Sequence, residues 1–143
     1  MGEPLYNAEI LRLALSTAGF TRLAEPHGSA ERRSPVCGSR VTVDVRLDAD
    51  GHISALGQEV RACALGQASA SLLQSHVAGR TPADLVNARE QLAAFLSGAR
   101  DEPGAWPGLV IFGPARPHSA RHPAILLAFD AAIAAAEQAV GHS

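Results

Sequence analysis

Hydrophobic positions along the chain change from helical to strand spacing and back. Leu5, Ala8, Ile10, Leu11, Leu13 and Leu15 are dense enough for an opening helix, and Gly19 is a natural stop. Residues 20–39 are rich in Arg, Glu, Ser, Pro and Gly, which predicts an irregular segment with one short strand. Arg40 to Leu47 then alternates: Val41, Val43, Val45 and Leu47 share one face, Thr42, Asp44 and Arg46 the other. That is the pattern of a half-buried strand. Asp48-Ala49-Asp50-Gly51 predicts a hairpin turn. The returning strand, His52 to about Arg61, changes phase, with Ile53 and Ala55 on one face and Leu56, Val60 and Ala62 on the other. A bulge near Gly57 is the expected cause.

Helical spacing returns after Cys63, with Leu65, Ala68, Leu72 and Val77 up to Gly79. Pro82 opens a further helix through Leu85, Ala88, Leu92, Phe95 and Leu96, ending at Gly98. Residues 101–117 hold Pro and Gly around Trp106 and the apolar run Leu109 to Phe112, which predicts an anchored loop. A last helix runs from about Pro123 to Val140, with Ile125, Phe129, Ile133, Ala136 and Val140 on one stripe. The expected fold class is α+β: an N-terminal helix, an antiparallel sheet of about three strands, then several helices on one face. Residues 1–143 are expected to form one domain.

Composition narrows the function. Hydrophobic residues make up 47% and charged residues 18%, which excludes disorder as the main state. The net charge of −2 argues against a general nucleic-acid binder. All twelve basic residues are Arg, so Schiff-base and P-loop lysine chemistry are excluded. The N-terminus does not read as a secretory signal, and Ala62 to Ala78 is too polar to span a bilayer. A cytoplasmic protein with reduced thiols and no membrane role is expected.

The two cysteines stand in informative settings. Cys37 lies in a tight connection, Ser34-Pro35-Val36-Cys37-Gly38-Ser39, just before the alternating strand. Cys63 ends the returning strand and opens the next helix. A hairpin sets the start of its first strand beside the end of its second, so both thiols are expected at one end of the sheet. The helix start and nearby Arg61 favour a thiolate at Cys63, the form that binds metal or attacks sulfur. The alternative is that both are small buried hydrophobes.

Residues 34–39 resemble the Asn-Pro-x-Cys-Gly-Asp motif of the U-type iron–sulfur cluster scaffolds: IscU, SufU and the N-terminal domain of NifU. Residues 63–73, with Cys63 followed by Ala68-Ser69-Ala70-Ser71, are similar to their second motif. Leu5-Tyr6, Ile10-Leu11, Gly79-Arg80-Thr81, Pro114-Ala115-Arg116 and the stretch Arg121 to Ala131 match in the right order. The resemblance implies a non-enzymatic scaffold that binds iron, zinc or a transient [2Fe-2S] cluster through Cys37 and Cys63, or accepts sulfur. It also implies a cysteine desulfurase as donor and apo iron–sulfur proteins as acceptors, and it allows a homodimer.

The chain departs from the family pattern at several places. Ser39 stands at the family Asp, and Val60 and Ala62 replace Gly-x-Gly. Ala124 falls at the third Cys, Pro123 where IscU-type members carry a His, and His122 two residues before Ala124, with His118 close by. Iron–sulfur clusters usually take four protein ligands. Two Cys and His122 suit a zinc site completed by a further ligand better. Three readings follow besides the scaffold: a SufU-like zinc-bound sulfur acceptor, a degenerate member that binds or regulates the assembly machinery, and a distant thiol hydrolase. His27, His52 and His76 read as exposed, His142 as part of the tail, and Asp48 and Asp50 as turn residues. Arg32, Arg33 and Arg40 form a basic patch near Cys37, either solvated or suited to an acidic partner.

Overall fold

The computed structural model describes residues 5–34 and 38–141. Asn7 caps the first helix, α1 (Ala8–Leu15), by accepting a hydrogen bond from the Ile10 amide at 3.0 Å. A 3-10 turn, Ser16–Gly19, follows. Three strands, β1 (Gly28–Arg33), β2 (Arg40–Leu47) and β3 (Ile53–Arg61), form an antiparallel sheet in the order β1-β2-β3. Three further helices complete the chain: α2 (Ala64–His76), α3 (Pro82–Ser97) and α4 (His122–Val140). Between α3 and α4 lie two short 3-10 segments, Leu109–Ala115 and Ser119–Arg121. The architecture is the α+β layout that the hydrophobic pattern predicts.

Val41, Val43 and Val45 are fully buried on the inner face of the sheet, beneath α4. The helix approaches so closely because its inward positions are small: Ala128, Ala131, Ala132, Ala135 and Ala136 are all fully buried. Gly28 completes the fit, since a Cβ there would stand 2.1 Å from the Ala135 carbonyl oxygen. The stretch Ser119–Val140 is long and apolar enough to cross a bilayer, but more than half of its most apolar window is buried inside the fold. Core packing accounts for its composition.

Two local expectations need correction. The phase change in β3 is real, but the register shift lies opposite Arg46 and Leu47, where Ser54 is left unpaired. Gly57 pairs regularly with Asp44. Its missing side chain serves another purpose: a Cβ would stand 2.7 Å from both the Leu23 nitrogen and the Thr21 oxygen, so residues 21–23 cross the outer face there. His27, His52 and His76 are half-buried rather than exposed. The His27 ring accepts a hydrogen bond from the Leu47 amide at 3.0 Å, which ties the approach to β1 to the end of β2.

Candidate cysteine site at one end of the sheet

Strand register places the parts of the site. Arg33 pairs with Arg40 and Arg40 with Arg61, so the loop 34–39 and the β3–α2 junction sit at the same sheet end. The loop is closed by hydrogen bonds from the Ser34 amide to the Ser39 oxygen (2.9 Å) and from the Gly38 amide to the Ser34 oxygen (3.1 Å). Gly38 has φ 72° with open space around it, so its backbone conformation selects glycine. Ser34 and Ser39 are buried. The Ser34 hydroxyl has no hydrogen-bond partner among the described residues. Cys37 lies outside the described residues, and with it the expected closeness of the two thiols.

Cys63 is a free, half-buried thiol at the N-cap of α2, in extended conformation. Its side chain makes no cap hydrogen bond, while its carbonyl accepts from the Gln67 amide at 2.9 Å. First-turn amide groups of a helix lack intrahelical partners and carry the positive end of the dipole, which favours an anionic group.

The opening turn of α4 meets this turn of α2. A Cβ on Gly66 would lie 3.2 Å from the Ala124 oxygen, and the buried Ser69 hydroxyl donates to the Ile125 oxygen at 2.6 Å. Ala124 is thus buried where the backbone of the first turn of α4 faces Gly66 of α2. Ala68-Ser69-Ala70-Ser71 serves helix packing: all four are buried, and the Ser71 hydroxyl meets that of Ser16.

His122 opens α4, half-buried, with Nε2 at 2.9 Å from the Ala115 oxygen. A ring nitrogen tied to a backbone carbonyl leaves the other nitrogen as a lone-pair donor, the usual arrangement of a metal-binding histidine. His118 is exposed. Cys63 and His122 are one thiol and one imidazole, and Ser39 and Ala124 bring neither a carboxylate nor a thiol. They do not make the four-ligand set of a stable cluster.

Asp44 was missed by the sequence reading. It is fully buried in the middle of β2, on the outer face. Arg22 donates to it from Nε (2.6 Å) and Nη2 (2.9 Å), the Leu23 amide donates at 2.9 Å, and the Ser29 hydroxyl at 2.5 Å. Burial pushes its carboxyl up, but these hydrogen bonds outweigh that and hold it below the ordinary range. Glu31, on the same face, is also lowered, first by its hydrogen bond from Arg33. The available signal was an Asp inside a valine-rich strand, where Asp is depleted.

At the opposite end of the sheet, ligand atoms of Asp48, Asp50 and His52 lie within 4.8 Å of one another. Asp48 Oδ1 accepts from the amides of Asp50 and His52, both at 2.9 Å, so this cluster is accounted for by the turn.

Among solved structures, the chain is similar to a nitrogen-fixing NifU-like protein (N-terminal) from Brucella abortus, with 36% identity and a TM-score of 0.89. The match covers 97% of this chain and 96% of that one. An iron–sulfur cluster assembly scaffold protein for the SUF system from Fervidobacterium islandicum AW-1 shares the fold at 18% identity and a TM-score of 0.84, over 92% of this chain and 96% of that one. A scan against protein-family models and a search of curated proteins match nothing. With more than a third of its residues identical over nearly its whole length, the chain belongs to the NifU-like N-terminal family of U-type iron–sulfur scaffolds.

Proposed function

We propose that this protein is a non-enzymatic scaffold of iron–sulfur cluster assembly, forming one domain over residues 1–143 in the cytoplasm, whose cargo is handled by Cys37 and Cys63. The observation that carries the reading is Cys63, a free thiol at a helix N-terminus without a side-chain cap, at the sheet end where Ser34 and Ser39 flank the segment holding Cys37. His122 is the third donor, through the ring nitrogen not held by Ala115. Ser39, at the position of the family Asp, supplies at most a hydroxyl. Iron, zinc or a transient [2Fe-2S] cluster is cargo here, and the short ligand set favours brief holding over storage. A homodimer is one way to complete the set.

Sulfur transfer fits the same thiol. A cysteine desulfurase presents a persulfide; the Cys63 thiolate attacks its outer sulfur, the donor S–S bond breaks, and the donor cysteine leaves as thiolate. Apo iron–sulfur proteins would receive the product. The test is mass spectrometry after incubation with a desulfurase and cysteine. One sulfur atom added to the peptide containing Cys63, absent in Cys63→Ser, supports the reading; an unmodified peptide argues against sulfur acceptance there.

A second reading, a partner-binding member of the assembly machinery that carries no cargo, is favoured by one observation. Ala124 closes a packed contact where the third thiol belongs.

A further inference from the structure

The outer face of the sheet ends on a rung of three arginines. Arg33, Arg40 and Arg61 are direct partners across β1, β2 and β3, so their side chains leave the sheet on one side. The next rung on that face is Glu31, Thr42 and Glu59. Glu31 pairs with Arg33 at 2.9 Å and with Arg40 at 3.6 Å, and Glu59 with Arg40 at 3.9 Å. Arg61 is exposed and has no carboxylate partner among the described residues. Arg32, exposed on the same edge strand, alternates to the other face and donates to the Glu31 carbonyl at 2.9 Å, so it is not part of the rung. Like charges directly opposite one another destabilise a sheet. The fold thus keeps an unfavourable rung, with two carboxylates for three guanidinium groups, two residues from Cys63.

We infer that this arginine rung is a docking surface for an acidic, Asp/Glu-rich segment of a protein partner that exchanges cargo at Cys63. The inference rests on the proposed function for the role of Cys63 but stands on the rung for the partner's chemistry. Neighbouring strands lie about 4.8 Å apart, so the three guanidinium groups spread over about 10 Å. An extended acidic chain matches that row, whereas one phosphate fits only a single gap. Arginine's planar fork suits carboxylates, and the chain's net charge of −2 disfavours nucleic acid.

The test is fluorescence anisotropy with a labelled oligo-glutamate peptide at low salt and at physiological salt. Wild-type protein should bind, more weakly as salt rises. Arg61→Glu and Arg33→Glu should each lose about tenfold or more in affinity, while Arg12→Glu on α1 leaves it unchanged. Arg61→Glu sets a carboxylate opposite Arg40, so its melting temperature should equal or exceed the wild-type value. Absent binding, equal binding by the rung variants, or tighter rung-dependent binding of an oligonucleotide of the same charge would each overturn the inference. Cys63→Ser should bind the peptide normally. Lost peptide binding with intact sulfur transfer therefore defeats this inference alone, and the converse defeats only the proposed function.

Discussion

Arg22 grips Asp44 with two guanidinium nitrogens, at 2.6 and 2.9 Å, across 22 positions of sequence. The carboxylate also holds the Leu23 amide and the Ser29 hydroxyl. It pins residues 22–23 to the outer face of the sheet, against the gap left by Gly57. Asp44→Ala should therefore cost about 1–3 kcal/mol, because it removes the shared acceptor of three partly exposed donors, which water can only partly replace. Urea unfolding of the two proteins at neutral pH measures it.

The same carboxylate sets an acid limb. Its folded pKa is held below the ordinary 3.8, so the unfolded chain binds the proton more readily. Its stabilisation is complete well above 3.8 and is lost as pH falls past that value towards the folded pKa. The stability gap between wild type and Asp44→Asn should shrink over that window. Unfolding midpoints measured from neutral pH down into the acid limb would show it, and a constant gap would contradict it.

Gly28 has no room for a side chain. Gly28→Ala drives a Cβ onto the backbone of α4 at Ala135 and should destabilise by about 1–3 kcal/mol. Gly19→Ala, with nothing within 4 Å, is the matched control and should change little by thermal melting.

Ser69 ties α2 to the first turn of α4. Ser69→Ala removes the buried hydrogen bond to Ile125 and should cost about 1–2 kcal/mol. Because the bond adjoins Ala124 and His122, zinc binding measured by competition with a chromogenic chelator should weaken as well.

The helices, strands and hairpins were legible because their signals are local. Valine alternation marks β2, Pro82 and Gly98 bracket α3, and Gly98 adopts φ 89° as the helix stop. Long-range contacts decided what was misread. The β3 phase change has one cause in sequence, an extra residue, but its position depends on pairing with Arg46 and Leu47. Gly57 looked like the bulge because its partner, the crossing chain at 21–23, is distant in sequence. Asp44 read as a solvent-facing residue because Arg22 and Ser29 come from segments without a regular pattern. At the site, spacing showed the thiol at a helix start, while the closure of Ala124 against Gly66 required α2 and α4 together.

The most direct measurement is iron and sulfide per chain after anaerobic reconstitution, followed by challenge with an iron chelator. Wild-type protein should bind both below one cluster per chain and lose them readily, with visible absorption that Cys63→Ser abolishes. Ala124→Cys should raise the stoichiometry and slow the loss. A stable, stoichiometric cluster on an isolated wild-type monomer, or binding indifferent to Cys63→Ser, would contradict the account.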